Sequence, residues 1–85
     1  YSYKSDTLAV PQDGKNYIGG TVTLKGSDGS TLWTTTFEGT NPGSVNVDNI
    51  KNMSSGTLEV AWTYLNEDGT TGTNVMPTTV YFTEK

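Results

Sequence analysis

Oxygen-bearing side chains gather in one short segment of the chain, at Asn66, Glu67 and Asp68. Calcium binds sets of about six to eight carboxylate, amide and carbonyl oxygens, so these residues are a candidate calcium site. The alternative is a simple chain reversal, because Asn, Asp and the following Gly69 are residues that tight turns favour. The repeated-acid pattern of a dedicated calcium loop is missing, and its absence favours the turn.

Tyrosine rings offer a second kind of chemistry. Tyr17, Tyr64 and Tyr81 are candidates for stacking on sugars, because a tyrosine ring combines flat apolar faces with a polar hydroxyl group. The alternative is packing between neighbouring strands, where aromatic residues are common. A carbohydrate site at these tyrosines therefore competes with an ordinary role in the core or at its rim.

Catalysis is disfavoured by what the composition lacks. The 85 residues include no Cys and no His, which excludes thiol nucleophiles, Cys/His zinc sites and His-based triads. A glycosidase needs two carboxylates facing each other across a cleft, whereas the acidic residues here lie mostly in turns or near the chain ends. We predict that the chain is not an enzyme and needs no cofactor, the candidate calcium ion aside.

Charge and hydrophobicity narrow the range of partners. The net charge is −4, and the five basic residues are lysines scattered along the chain. A nucleic-acid-binding protein clusters Lys and Arg to neutralise phosphates, and a membrane helix needs about 20 apolar residues in a row. Neither pattern is present, so we predict that the partners are neither nucleic acids nor membranes.

Turn-forming residues divide the chain into short strands. The predicted turns are 11–14, 26–29, 40–43, 54–56 and 66–69. Between them apolar and polar side chains alternate, most clearly along Leu58, Val60 and Trp62, which indicates antiparallel sheets with one solvated face. Two such sheets bury their apolar faces against each other. We predict an all-β chain that forms a single domain over residues 1–85, a two-sheet antiparallel immunoglobulin-like sandwich of about seven strands.

The inward-facing positions define a predicted core. Its members are Leu8, Val10, Val22, Leu24, Trp33, Phe37, Val45, Val47, Ile50, Leu58, Val60, Trp62, Val80 and Phe82. If the ring of Trp33 is buried, Trp33→Ala costs about 3–5 kcal/mol of stability. Residues 2–10 are predicted to supply the first strand. Pro77 lacks the amide hydrogen that a central strand uses, so we predict a kink or a sheet edge there.

Residues 43–70 resemble a bacterial immunoglobulin-like repeat of the kind found in surface adhesins and other secreted proteins. The likeness rests on Ile50, Met53, Ser55 and Gly56, on the face formed by Leu58, Val60, Trp62 and Tyr64, and on Asn66 and Gly69. It implies an immunoglobulin-like fold and a role as a spacer or adhesive module, often in tandem copies. Some members bind calcium at the turn, but here Asn66 and Thr70 replace an Asp and an Asn of that pattern.

We therefore expect a non-catalytic structural or adhesive module, excised from a longer chain, of an extracellular protein that is secreted or held at the cell surface. Such a module acts as a spacer or presents a binding surface. Its expected partners are neighbouring domains of the same chain and a cell-surface glycan or protein. Two alternatives stay open: an accessory carbohydrate-binding module of a secreted enzyme, and a decoration domain of a phage virion. An exposed row of aromatic rings would favour the carbohydrate-binding module.

Overall fold

The structure is a computed structural model that describes residues 1–5 and 9–84. Within these residues the secondary-structure elements are all β-strands. The strands are β1 Tyr3–Ser5, β2 Asn16–Gly26, β3 Thr31–Glu38, β4 Val45–Val47, β5 Ser55–Leu65 and β6 Thr71–Tyr81. β1 and β4 form a two-stranded sheet, and the others form a four-stranded sheet in the order β3-β2-β5-β6. All pairings are antiparallel. The all-β class and the antiparallel sheets are confirmed.

The expected count of about seven strands is wrong for the described chain, which has six, and β6 runs without a break through Pro77, from Thr71 to Tyr81. Asn66 N donates to Thr70 O, and Phe82 N donates to Ser54 O, each at 2.8 Å. From the first of these bonds to the second, the residue pairs of β5 and β6 are alternately hydrogen-bonded and non-hydrogen-bonded. Pro77 falls in a non-hydrogen-bonded pair opposite Glu59, so its nitrogen points away from β5. The predicted sheet edge at Pro77 is confirmed, since β6 is the last strand of its sheet.

Two further expectations about elements are corrected. β1 covers only Tyr3–Ser5 of the predicted first strand 2–10, part of which lies outside the described residues. Ser55 and Gly56, predicted to lie in a turn, belong to β5. The chain reverses before them, where Asn49 and Asn52 adopt positive φ angles of 62° and 60°.

One apolar face of the four-stranded sheet carries most of the core. The buried residues are Tyr17, Val22, Leu24, Val45, Ile50, Leu58, Val60, Trp62, Val80 and Phe82. All of them except Tyr17 belong to the predicted core. Four predicted members are only partly buried against this cluster, namely Val10, Trp33, Phe37 and Val47. Leu8 lies outside the described residues.

The long sheet has two ends that the chain uses differently. At one, here called the terminal end, Ser2 and Thr83 exchange two backbone hydrogen bonds of 2.7 Å. The hairpin turn 26–30 lies at the same end, since Gly26 is opposite Gly56 and Gly56 is opposite Val80. At the other, here called the pocket end, lie the hairpin turn 66–70 and the start of β2. The molecule measures 47 × 22 × 18 Å.

Candidate ligand-binding site

An irregularity in β2 shapes the pocket end. Tyr17 lies opposite Tyr64, but the next paired residue is Gly19 opposite Thr63, so Ile18 is an extra residue in the strand. Such a bulge bends a strand and re-aims its side chains. Here Tyr17 lies in the core cluster, while Ile18 is exposed.

The hydroxyl group of Tyr17 connects three segments of the chain. It donates to Asp13 Oδ2 at 2.6 Å and accepts a bond of 3.2 Å from Asn74 Nδ2. Asp13 Oδ1 also accepts a bond of 3.1 Å from the amide of Lys15. The loop before β2 is thereby fastened both to β2 and to the edge strand β6.

These contacts move the pKa of both groups further from neutral pH. The hydrogen bond from Tyr17 holds the pKa of Asp13 below its ordinary value, and the Lys15 amide acts in the same direction. Burial raises the pKa of Tyr17, and its bond to Asp13 raises it further. Asp13 is therefore a carboxylate and Tyr17 a neutral phenol.

Aromatic rings form a connected cluster beneath this loop. Tyr17 meets Trp62 edge to face, with centroids 5.8 Å apart, and meets Tyr64 in the same manner at 6.0 Å. Phe37 packs against Trp62 at 5.2 Å. Lys15 Nζ lies 4.3 Å from the centroid of the Tyr64 ring, a cation–π contact. Both Tyr17 and one face of Tyr64 are thus already occupied by protein groups.

A pocket of about 380 Å³ opens beside this cluster. Its walls combine amide, hydroxyl, ammonium and apolar groups from the loop before β2, from β2 and from the loop after β3. The lining residues are Val10, Pro11, Gln12, Gly14, Lys15, Asn16, Tyr17 and Thr40. The volume is within the range of about 300–1,000 Å³ that is typical of small-ligand sites.

The structure brings together two of the three predicted tyrosines. Tyr17 and Tyr64 share the inner face at the pocket end. Tyr81 lies near the terminal end, opposite Ser55, and is 77% exposed. It faces away from the core, because Val80 and Phe82 on either side of it are buried. A continuous row of three stacking rings is therefore not formed.

Other residues of the site were not predicted from the sequence. Asp13 and Gly14 were assigned to a turn, and Lys15 was taken only as one of several scattered lysines. Asn74 reaches Tyr17 from 57 positions away, a contact that depends on the registers of three strands. A local pattern could have identified Asp13, since an Asp before Gly often bonds to the backbone two residues further on.

The acidic segment forms a closed hairpin turn. Asp68 Oδ1 accepts bonds from the Thr70 hydroxyl at 2.6 Å and from the Thr70 amide at 3.0 Å. Asn66 Nδ2 donates to the same hydroxyl oxygen at 3.1 Å. The bond from the Thr70 hydroxyl lowers the pKa of Asp68 below its ordinary value. Gly69 adopts a φ angle of 87°, which a glycine supplies without steric cost.

The other long hairpin has the same turn. Asp28 Oδ1 accepts bonds from the Ser30 hydroxyl at 2.6 Å and from the Ser30 amide at 2.9 Å, and Gly29 has a φ angle of 85°. Turn geometry alone thus accounts for the position of Asp68. Over residues 1–5 and 9–84, no group of three or more His, Cys, Asp or Glu side chains is arranged to hold a metal ion. Asn66, Glu67 and Asp68 stay a candidate calcium site, and the turn stays the favoured alternative.

No protein family, curated protein or solved structure matches this chain. Its class is defined by its fold and site: an all-β chain of two antiparallel sheets, with a pocket lined in part by Tyr17 at one end of the longer sheet. Within the described residues there is no helix of the length and apolarity that a membrane span requires.

Proposed function

We propose that this chain is a non-catalytic, immunoglobulin-like adhesive module of a secreted or cell-surface protein, and that it presents its pocket end to a glycan. The observation that supports this most strongly is the separation of the pocket from the chain ends. The sandwich architecture and the relation to bacterial immunoglobulin-like repeats are part of the same proposal. They rest on the alternation of β5 and on the contribution of β4 to the core.

The position of the chain ends favours presentation over end-to-end spacing. Ser2 and Thr83 are paired antiparallel, and the backbone nitrogen of Tyr1 donates to Ile50 O at 2.8 Å. Residues attached before Tyr1 or after the C-terminal segment would therefore leave from the same end of the sheet. The 11 residues of β5 separate this end from the pocket end, a distance of about 33 Å. A module attached through its terminal end therefore holds its pocket end away from the point of attachment.

The chemistry of the pocket favours a sugar as the ligand. Gln12, Asn16 and Thr40 offer amide and hydroxyl groups beside the phenol of Tyr17, which suits a ligand with many hydroxyl groups and some apolar CH surface. The same pocket would serve an accessory carbohydrate-binding module of a secreted enzyme, which is the second candidate.

A glycan array tests the proposal. The protein carries a fluorophore on a cysteine introduced at Ser27, which is exposed in the turn at the terminal end. We expect binding to a subset of the printed glycans, and a signal about tenfold weaker for Lys15→Ala. Lys51→Ala is the matched control, since Lys51 is an exposed lysine next to Ile50, near the terminal end.

The attachment point provides a second arm of the test. A bulky label on a cysteine introduced at Glu67, in the exposed turn of the pocket end, is expected to reduce glycan binding more than the same label at Ser27. Glycan binding is refuted if no printed glycan binds more strongly to the unmodified protein than to Lys15→Ala. Equal binding by the Glu67-labelled and Ser27-labelled proteins would refute the assignment to the pocket end.

A further inference from the structure

The two edges of the four-stranded sheet are protected differently. β6 has Pro77 near its middle, with the ring nitrogen directed outward and no hydrogen to donate. β3, at the opposite edge, contains neither proline nor lysine, and its irregularity is confined to the extra residue Leu32 beside the turn at the terminal end. Unpaired amide and carbonyl groups at a sheet edge are a template for another strand, and proline or lysine residues commonly block them. Over residues 33–38, β3 is thus the less protected edge.

The pairing of β2 and β3 shows which backbone groups point outward. Gly39 N donates to Ile18 O at 2.9 Å, and hydrogen-bonded pairs alternate with non-hydrogen-bonded pairs from there along the strand. Thr36 opposite Thr21 is then a non-hydrogen-bonded pair, as is Thr34 opposite Thr23. The amide and carbonyl groups of Thr34 and Thr36 therefore point away from β2.

Among the residues that the structure describes, no partner strand lies along this edge. Neither outward amide donates to a described backbone carbonyl. The carbonyl of Thr36 has one long contact, of 3.5 Å, with Thr35 Oγ1. These groups are free to accept a further strand.

We propose that β3 pairs antiparallel with β3 of a second copy of this chain, about a two-fold axis that passes beside Thr35. Thr34 then lies opposite Thr36 of the second copy, and Thr36 lies opposite its Thr34. The outward amides and carbonyls meet reciprocally, as hydrogen-bonded antiparallel pairs require. The two long sheets become one continuous sheet.

The side chains of β3 fit this register, because the segment Trp33-Thr34-Thr35-Thr36-Phe37 is nearly symmetric about its centre. Trp33 lies opposite Phe37 of the second copy, twice by symmetry, on the inner face. Both rings are only partly buried in a single chain, and aromatic pairs and Thr pairs are favourable cross-strand neighbours. Glu38 is the charged residue of β3, and its two copies lie at opposite ends of the paired segment, so like charges do not meet. This self-complementarity favours a second copy over an unrelated peptide.

The geometry also sets the orientation of the dimer. Antiparallel pairing points the terminal ends of the two copies in opposite directions, so copies attached to two different surfaces are able to pair between them. The pairing involves no residue that lines the pocket. The dimer proposal therefore does not depend on whether the pocket binds a glycan.

Sedimentation and light scattering across micromolar to millimolar concentrations test the proposal. We expect the mass to rise from monomer to dimer and no further. Thr36→Pro removes an outward donor without touching the bonds to β2, and we expect it to weaken dimerisation by about tenfold or more. Thr79→Pro is the matched control, because Thr79 is the corresponding outward residue on β6, opposite Thr57, and the dimer should be unaffected. A monomer at every concentration would overturn the proposal, as would equal weakening by the two variants.

Amide hydrogen exchange of the unmodified chain gives a readout that does not depend on whether Thr36→Pro folds. The amides of Thr34 and Thr36 should exchange more slowly as the protein concentration rises, while those of Thr73 and Thr79 should not change. Exchange at Thr34 and Thr36 that is independent of concentration, in a sample that dimerises, would place the interface elsewhere and overturn the assignment to β3.

Discussion

The phenol ring of Tyr64 lies over Gly72, the residue opposite it on β6, and fills the space that a side chain at position 72 would need. Phe37 also lies over Gly20 and Phe82 over Gly56, but a side chain at these two positions would meet the backbone carbonyls of Ala61 and Lys25 first. A ring placed over a strand glycine supplies the apolar contact that the glycine lacks. At Gly72 the arrangement also holds the ring on which Lys15 rests, so an edge-strand glycine helps to shape the pocket end.

Gly72→Ala is therefore expected to displace the Tyr64 ring. The new methyl group would collide with ring atoms, at a cost of about 1–3 kcal/mol in the free energy of unfolding. Urea denaturation measures this cost. Thr73→Ala is the control, because Thr73 is the next residue of β6 and is exposed, so its effect should stay within about 0.5 kcal/mol. Equal effects of the two substitutions would show that Tyr64 does not pack on Gly72.

The two tryptophans should differ in their contribution to stability. Trp62 is 1% exposed and contacts the rings of Tyr17 and Phe37, so Trp62→Ala should cost about 3–5 kcal/mol. Trp33 is only partly buried, and we expect Trp33→Ala to cost about 1–2 kcal/mol in the monomer. The larger value that the sequence suggested for Trp33 assumed a buried ring. Urea denaturation at low protein concentration measures the free energy of unfolding of the two variants. A larger loss of stability in Trp33→Ala than in Trp62→Ala would contradict the packing described here.

Alternation of side chains was a reliable guide to the inner face of the long strands. Leu58, Val60 and Trp62 point inward because successive residues of a strand face opposite sides, and all three are buried. The same rule places Tyr81 on the outer face. This part of the fold could be predicted from local sequence because one side of the sheet is solvated.

Features set by register or irregularity could not be predicted in this way. The bulge at Ile18 changes the alternation of β2 and brings Tyr17 into the core. Pro77 was compatible with a kink or an edge, and only the pairing with β5 decides between them. The bond between Asn74 and Tyr17 joins distant parts of the chain. The candidate site is built from such features, so the sequence identified two of its tyrosines but not the polar residues around them.

Stability is expected to fall at both extremes of pH. The pKa of Asp13, Asp28 and Asp68 is lowered by hydrogen bonds to the carboxylates, from Tyr17, Ser30 and Thr70 respectively. A carboxyl group whose pKa is lower in the folded state stabilises the fold above its unfolded pKa. That contribution is lost as the pH falls below about 4 and through the lowered native values.

Ionisation of Tyr17 is expected to reduce the stability at alkaline pH. Its pKa is raised by burial in the folded state, so its contribution is complete below the unfolded pKa and is lost as the pH rises above about 10 and through the raised native value. We expect the melting temperature to stay level between these limits. Tyr17→Phe should remove part of the fall in melting temperature at alkaline pH. The fall at acid pH should remain, except for the part that depends on the hydrogen bond from Tyr17 to Asp13. An alkaline decline that is unchanged in Tyr17→Phe would contradict this assignment.

Calcium is expected to leave the melting temperature unchanged, because Thr70 already bonds to the Asp68 carboxylate. Melting curves in calcium chloride and in EDTA, at equal ionic strength, make the comparison. A ligand at 100 times its dissociation constant would stabilise the folded state by about 2.7 kcal/mol, so a bound ion would be detected readily. A calcium-dependent rise that disappears in Asp68→Asn would establish the turn as a metal site after all.

Replacing Pro77 should open the second edge of the sheet. Pro77→Thr restores an outward amide between those of Val75 and Thr79, on a strand whose outer face also exposes Val75 and Tyr81. A chain with one open edge can close into a dimer, whereas a chain with two open edges forms open-ended assemblies. We therefore expect concentration-dependent species larger than a dimer in sedimentation and a rise in light scattering. Pro77→Gly, which restores the amide hydrogen but disfavours strand conformation, should give a weaker effect. If Pro77→Thr stays no larger than the unmodified protein at every concentration, Pro77 is not what protects β6.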